Sequence, residues 1–182
     1  SGELEEFVGT VVDVTERKRA EEEHQAQLWF LESMDGIDRA IQRTSNLEQM
    51  ISDVLDVALV TFRCDRAWLV YPCDPDLDSH RVRMERTQPE YIGAFGAGVD
   101  IPNEPGIARV FRSVLASSGP VRFDPESDCA LPPQPVQRSS IKSMIAMAVY
   151  PKVDKPYMFG LHQCSHPRVW TPLEERLLHE IG

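Results

Sequence analysis

Apolar and polar residues follow a helical period near the start of the chain. No glycine or proline occurs between Val14 and Gly36, which predicts one long connector helix over residues 15–44. Its first half carries Arg/Lys–Glu pairs spaced i,i+4, as expected of a solvated helix. The second half carries an apolar stripe formed by Leu28, Leu31, Met34, Ile37 and Ile41. The alternative interpretation is two shorter helices that meet near Gly36.

Three further helices are predicted from caps and apolar faces. Ser45 followed by Glu48 fits a capping box that opens a helix ending near Phe62. A second helix is expected at about Ile107–Ala116. At the end of the chain, the Thr171-Pro172-Leu173-Glu174 sequence combines an N-cap, a proline at N1 and a glutamate at N3, and so predicts a helix that begins there.

Segments rich in β-branched and aromatic residues predict antiparallel strands between these helices. They are Ala67–Tyr71, Arg81–Thr87, Pro120–Asp124, Lys142–Pro151 and Tyr157–Ser165. The proline-rich segment Pro125–Ser140 has no clear period, so we expect a long loop that acts as a lid. The order of elements predicts an α+β fold with one antiparallel sheet and helices on its faces.

Composition limits the classes of partner. The chain has 182 residues, 42% of them hydrophobic and 26% charged, which is typical of a globular protein with one good core. Its net charge of −10 argues against a nucleic-acid surface and against contact with an anionic membrane. Four cysteines without a CxxC pair favour free thiols in a reducing cytoplasm. No apolar run approaches the ~20 residues needed to cross a bilayer.

A cluster of histidine and cysteine near the end of the chain raises the question of a metal site. His162, Cys164 and His166 alternate, so a strand would place all three on one face. A fourth ligand is not apparent, and we therefore predict no metal.

Two resemblances to known families refine this picture. The sequence VGTVVDVTERKRAEEE resembles the last strand of a PAS domain followed by the D-[IV]-T-E-R-K linker of bacterial multi-domain sensors. This resemblance implies that residues 1–14 are the end of a PAS domain, with Ser1-Gly2 as a cloning remnant. It also implies that Asp13, Thr15 and Arg17 form the junction.

Residues 45–182 resemble a GAF domain of the phytochrome-like kind. Three segments carry the resemblance: LEQMISDVLDVALVTFRCDRAWLV, SIKSMIAMAVYP and FGLHQCSHPRVWTPLEERLL. It implies a sheet of five or six antiparallel strands, with the N- and C-terminal helices on one face and a ligand pocket on the other. We predict that the pocket residues are His162, Cys164, Cys129 and Tyr91.

In phytochrome-like GAF domains, the histidine that matches His162 contacts the terminal pyrrole of a bilin. The bilin is attached to a cysteine in a C-H-x-x-[YL] motif. Cys129 lies near that place, but Ala130, Leu131 and Pro132 follow it. Covalent bilin attachment is therefore not expected, and the cofactor is unknown.

The functional prediction is a non-catalytic sensor module of a bacterial signalling protein, most simply a PAS/GAF sensor histidine kinase. The alternatives are a module of a diguanylate cyclase or another effector, or a thiol-dependent enzyme such as a free methionine sulfoxide reductase. The module would relay the binding of an unknown small molecule or of a partner, and we expect a downstream kinase domain in the parent chain. We also expect a homodimer through the connector and C-terminal helices, with Leu28, Leu31 and Met34 at its seam.

Overall fold

The computed structural model describes residues 15–131, 140–152 and 154–182. Its helices are α1 (Thr15–Gln42), α2 (Leu47–Thr61), α3 (Pro105–Ala116) and α4 (Pro172–Ile181). Its strands are β1 (Arg66–Tyr71), β2 (Ser79–Thr87), β3 (Ile101–Pro102), β4 (Val121–Phe123), β5 (Ser143–Val149) and β6 (Tyr157–Gln163). The six strands form one sheet in the order β3-β2-β1-β6-β5-β4, with every neighbouring pair antiparallel. The predicted α+β class is confirmed.

Alternation along the central strands separates two apolar faces. Ile145 and Met147 of β5, and Phe159 and Leu161 of β6, belong to a core that also contains residues of α2 and α4. Helix α1 packs outside this layer, against α2 and α4. The prediction that the N- and C-terminal helices share one face of the sheet is thus confirmed.

The opposite face of the sheet packs against α3. Met144, Ala146 and Met158 point to this side and meet Phe111 and Val114 of the helix. The short strand β3, which the sequence did not indicate, lies at the far edge and pairs with the start of β2. This second face contains the cavity described below.

Helix α1 runs through Gly36 without a break, so the two-helix alternative is wrong. Its buried residues are Ser33, Ile37 and Ala40, while Trp29, Phe30 and Met34 are partly buried against the core.

Within one copy of the chain the predicted stripe is covered only in part, because Leu28, Leu31 and Ile41 remain 39%, 64% and 41% exposed. They lie beside the buried face rather than on it.

Of the two predicted helix caps, the one at α2 is wrong and the one at α4 is confirmed. Asn46, not Ser45, is the N-cap of α2, and its side-chain oxygen accepts a hydrogen bond from the Gln49 N–H at 3.0 Å. Asparagine and serine are equally good N-cap residues, so the sequence pattern alone did not distinguish Asn46 from Ser45. At α4 the capping box between Thr171 and Glu174 is present as predicted.

Among the described residues, no helix is long and apolar enough to cross a membrane.

Candidate functional site

A cavity of about 190 Å³ lies between the sheet and α3. Most of its wall is apolar, and the strands and α3 supply these residues: Trp68, Val70, Val82, Ile101, Ile107, Val110, Phe111, Met144 and Met158. Leu131 and Ile141, on either side of residues 132–139, also line it. Those eight residues lie outside the described part of the chain, and closure by the predicted lid stays a prediction.

Trp68 forms the middle of the cavity wall because Gly160 makes room for it. Gly160 lies opposite Trp68 in the β1–β6 register. A Cβ at Gly160 would lie only 2.4 Å from Cζ2 of the indole and 3.0 Å from Cβ of Ala146. The indole therefore lies over β6, where it contacts the His162 ring at a centroid distance of 4.8 Å.

Five ionisable side chains of the described residues line the cavity, His80 and Glu104 among them, and strand register gathers the other three at one end. Arg66 pairs with His162 across β1 and β6, and Glu85 pairs with Trp68 across β1 and β2. The Arg66 guanidinium donates to the carbonyl oxygens of Tyr91 and Ile92, at 2.8 and 3.1 Å. We call Arg66, Glu85 and His162 the polar end.

Burial determines the charge of two groups at the polar end. It lowers the pKa of His162 from 6.5 to about 3, with a smaller contribution from the Arg66 charge, so the imidazole is neutral at pH 7. The pKa of Glu85 is raised by burial, and the hydrogen bond from the Phe95 N–H, 3.1 Å from Oε2, partly opposes this shift. Among the described residues, His162 Nδ1 and the indole Nε1 of Trp68 are both buried without a hydrogen-bond partner.

A second histidine lies at the other end of the cavity. His80 Nδ1 is 2.6 Å from Asn103 Oδ1, and its ring meets Phe111 edge-on. Burial lowers the pKa of His80. This histidine has a polar partner within the protein, whereas Nδ1 of His162 has none among the described residues.

The other predicted pocket residues lie near the cavity but do not line it. Cys164 is buried and Tyr91 and Cys129 are partly buried, all packed with the apolar core of this face. Asp13 lies outside the described residues, while Thr15 and Arg17 are exposed in the first turn of α1. The PAS junction therefore stays a prediction.

Sequence reasoning did not identify Arg66, Glu85 or Trp68 as cavity residues. Arg66 and Trp68 belong to the CDRAWLV sequence that supported the family resemblance, and an arginine within an apolar strand was the available signal. Nothing local in the sequence of β2 distinguished Glu85 from the other polar residues of that strand.

The residues after β6 form a buried hydrogen-bond network. Asp65 Oδ2 accepts from the N–H groups of Cys164 and Ser165, at 2.6 and 2.8 Å, and from Gln163 Nε2 at 2.8 Å. Arg168 extends the network, because it donates to Gln163 Oε1 at 3.0 Å and pairs with the Glu174 carboxylate. The strand that carries His162 is thereby connected to the first turn of α4.

Three of the four thiols are buried and protonated. Burial raises the pKa of Cys64 and of Cys73 to about 12, and it raises the pKa of Cys164. Such thiols are poor nucleophiles and poor metal ligands. The part of the chain that the structure describes contains no group of three His, Cys, Asp or Glu side chains arranged to hold a metal ion.

Comparisons with solved structures identify the same fold in proteins that bind a chromophore. The far-red absorbing dark state of JSC1_58120g3 with bound biliverdin IXa is 15% identical, with a TM-score of 0.66 over 82% of this chain and 92% of that one. The chromophore-binding domain of the Stigmatella aurantiaca bacteriophytochrome is 13% identical, with a TM-score of 0.67 over 86% of this chain. The present chain covers 58% of the Stigmatella chain.

A third similar structure comes from another class of protein. The GAF domain of a phosphoenolpyruvate-protein phosphotransferase from Coxiella burnetii is 14% identical, with a TM-score of 0.60 over 85% of this chain and 88% of that one. No curated protein sequence matches the chain significantly. The family model for the GAF domain matches residues 46–182, three quarters of the chain, and the chain therefore belongs to the GAF domain family.

Proposed function

We propose that this GAF domain is the non-catalytic, ligand-sensing module of a bacterial signalling protein. GAF domains are typically sensory and non-catalytic. The observation that carries the proposal is the cavity, which is mostly apolar and has three ionisable side chains at one end. Concave apolar sites with a few convergent polar groups are the usual form of small-molecule sites in proteins.

The ligand is a small molecule held without a covalent bond. The cavity, at about 190 Å³, is below the ~300–1,000 Å³ typical of drug-sized ligands. One similar structure holds biliverdin, and another is the chromophore-binding domain of a bacteriophytochrome. In this chain Cys129, the cysteine nearest to the expected attachment site, does not line the cavity. After incubation with biliverdin, we expect no zinc-fluorescent band in a denaturing gel. A band that disappears in Cys129→Ser would contradict this expectation.

Three of the four thiols give no support to an enzymatic role. A thiol-dependent reductase needs an accessible thiolate, whereas Cys64, Cys73 and Cys164 are buried with raised pKa values. Methionine sulfoxide reduction by the purified protein would contradict the non-catalytic proposal.

Signal transfer is proposed to run from the cavity to α4. His162 lines the cavity, and the next residue, Gln163, hydrogen-bonds to Asp65 and Arg168. Arg168 pairs with Glu174, so movement of β6 changes the position of the first turn of α4. A ligand shifts this equilibrium only by its difference in affinity for the two positions.

The parent protein is proposed to be a cytoplasmic PAS/GAF sensor histidine kinase that works as a homodimer. Leu28 and Leu31, in the middle of α1, support the dimer because both remain exposed in one copy of the chain. A second copy would cover them in a parallel pairing of α1 helices. A kinase domain beyond α4 would receive the helix movement.

Native mass spectrometry of the gently purified protein tests ligand sensing. We expect a mass excess of one small molecule that disappears on denaturation. Ile107→Trp, a change on α3 that fills the cavity, should remove the excess without unfolding the protein. The bare protein mass alone, or an excess that Ile107→Trp leaves unchanged, would contradict the proposal.

A further inference from the structure

The segment of residues 91–95 forms part of the cavity wall beside the polar end. Ala94 lines the cavity, and no helix or strand of the described chain contains residues 91–94. Tyr91 packs with the apolar core and anchors the start of the segment. Further along, Ile92 is 82% exposed and Phe95 is 43% exposed. Because these two side chains bury little surface, their packing does little to hold the segment in place.

Two residues of the polar end hold the 91–95 segment through its backbone. The Arg66 guanidinium donates to the carbonyl oxygens at the start of the segment, those of residues 91 and 92, at 2.8 and 3.1 Å. The Glu85 carboxylate accepts from the Phe95 N–H at 3.1 Å, and the Ala94 N–H acts on the same carboxylate. Hydrogen bonds to charged groups are about twice as strong as neutral ones. The two cavity residues are therefore what keeps this part of the wall closed.

Gly93 lies between the two sets of hydrogen bonds and makes the second set possible. A Cβ at Gly93 would overlap the Glu85 carboxylate, so the carboxylate reaches the backbone N–H groups only because residue 93 has no side chain. A Cβ at Gly96, in the same loop, would have no atom within 4 Å. The loop thus contains one glycine on which the contact depends and one on which it does not.

The other end of the cavity is held more firmly. His80 pairs with Ile101 across β2 and β3, and its Nδ1 is 2.6 Å from Asn103 Oδ1. Asn103 Nδ2 in turn donates to the carbonyl oxygens of Asp74 and Leu77, at 3.1 and 2.7 Å. Opening this end would break a strand pairing, whereas the 91–95 segment needs only to leave Arg66 and Glu85. Resting on the proposed function, we propose that a small apolar molecule enters the cavity by displacing the 91–95 segment, which Arg66 and Glu85 hold closed.

Benzene is a suitable probe, because an apolar cavity of about 150 Å³ is large enough to bind it and this one has about 190 Å³. Its binding and its rates of association and dissociation are followed in methyl-¹³C-methionine NMR spectra. Met144 and Met158 line the cavity, whereas Met147 faces the helices on the other side of the sheet and is the internal control. We expect benzene to shift the first two methyl signals but not the third.

Gly93→Ala tests the gate from outside the cavity, because Gly93 is not a lining residue. The Glu85 carboxylate is the end of a flexible side chain, so it should move away while the fold is kept. Association and dissociation of benzene should then both become about tenfold faster, as expected for the loss of one hydrogen bond of typical strength. The Kd for benzene should stay unchanged, which separates a freed gate from a distorted cavity. Gly96→Ala is the matched control and should leave both rates as they are.

Amide hydrogen exchange at Phe95 tests the same contact without a ligand. Gly93→Ala should make exchange of the Phe95 N–H at least tenfold faster, because this N–H loses its carboxylate acceptor. Glu85→Ala should have the same effect. Adding Gly93→Ala to Glu85→Ala should cause no further acceleration, since the overlapping carboxylate is already gone.

The outcomes separate this inference from the proposed function. If Gly93→Ala leaves the benzene rates unchanged, or if Gly96→Ala accelerates them equally, the gate is overturned while the cavity keeps its proposed role. Exchange at Phe95 that Gly93→Ala does not accelerate overturns the gate as well. If benzene shifts neither the Met144 nor the Met158 signal, the inference is overturned and the proposed function also loses support.

Discussion

Gly160 is the position where one added methyl group tests the construction of the cavity wall. In Gly160→Ala, the new Cβ would lie 2.4 Å from Cζ2 and 2.6 Å from Cη2 of Trp68. These distances are far below van der Waals contact, so the indole has to give up its present position over β6 and against the His162 ring. Forced overpacking of this kind costs about 1–3 kcal/mol. With a urea dependence of about 2 kcal/mol/M, the unfolding midpoint should fall by roughly 0.5–1.5 M.

Gly36→Ala is a matched control with the opposite sign. A Cβ at Gly36 would lie 3.5 Å from Cγ1 of Val57, an ordinary contact, and the residue is inside α1. Alanine is favoured over glycine in a helix interior by about 1 kcal/mol, so the midpoint should rise by roughly 0.5 M. Circular dichroism should follow both transitions, because tryptophan fluorescence would report the displaced Trp68 itself.

A double variant identifies the clash as the cause. Phenylalanine lacks the indole atoms that approach Gly160, so Trp68→Phe combined with Gly160→Ala should cost less than the sum of the two single changes, by about 0.5–3 kcal/mol. If Gly160→Ala unfolds at or above the midpoint of the unmodified protein, the indole does not lie over β6 and the description of the cavity is wrong.

Three further predictions concern the dimer, the buried histidine and the thiols. The double variant Leu28→Glu, Leu31→Glu should convert a homodimer into a folded monomer, because burying each leucine at the seam stabilises the dimer by about 1.5–3 kcal/mol. Light scattering that shows the unmodified protein as a monomer at high micromolar concentration would contradict this prediction. The unfolded chain protonates His162 near pH 6.5, but the folded protein resists protonation down to about 3. The unfolding free energy therefore falls as the pH falls through this range. Between pH 7 and pH 5, the unmodified protein should lose about 2 kcal/mol more than the His162→Phe variant does. Equal losses for the two proteins in urea titrations would refute the lowered pKa of His162. Iodoacetamide should modify Cys129 first in the native protein, because the other three cysteines are buried; mass spectrometry showing another cysteine modified as fast would count against their burial.

Local patterns were sufficient for much of the fold. The Thr171–Glu174 capping box depends on contacts within four residues, and it formed as predicted. The two apolar faces of β5 follow from strand geometry, since alternate side chains point to opposite sides. The order of elements, together with the segments resembling GAF domains, therefore predicted the antiparallel sheet and the helical layer.

The sequence by itself determined the α+β class and the helical layer, and it indicated His162 as a pocket residue. Only the tertiary structure decided which side of α1 is buried, because that depends on where α2 and α4 meet it: Ser33, Ile37 and Ala40 lie there, and Leu31 does not. Likewise, Arg66, Glu85 and His162 come from three strands and meet only through the registers of β1 with β2 and β6. The pairing of β1 with β6 joins residues far apart in the chain, and the alternation of apolar and polar positions sets the face of each side chain but does not choose the partner strand.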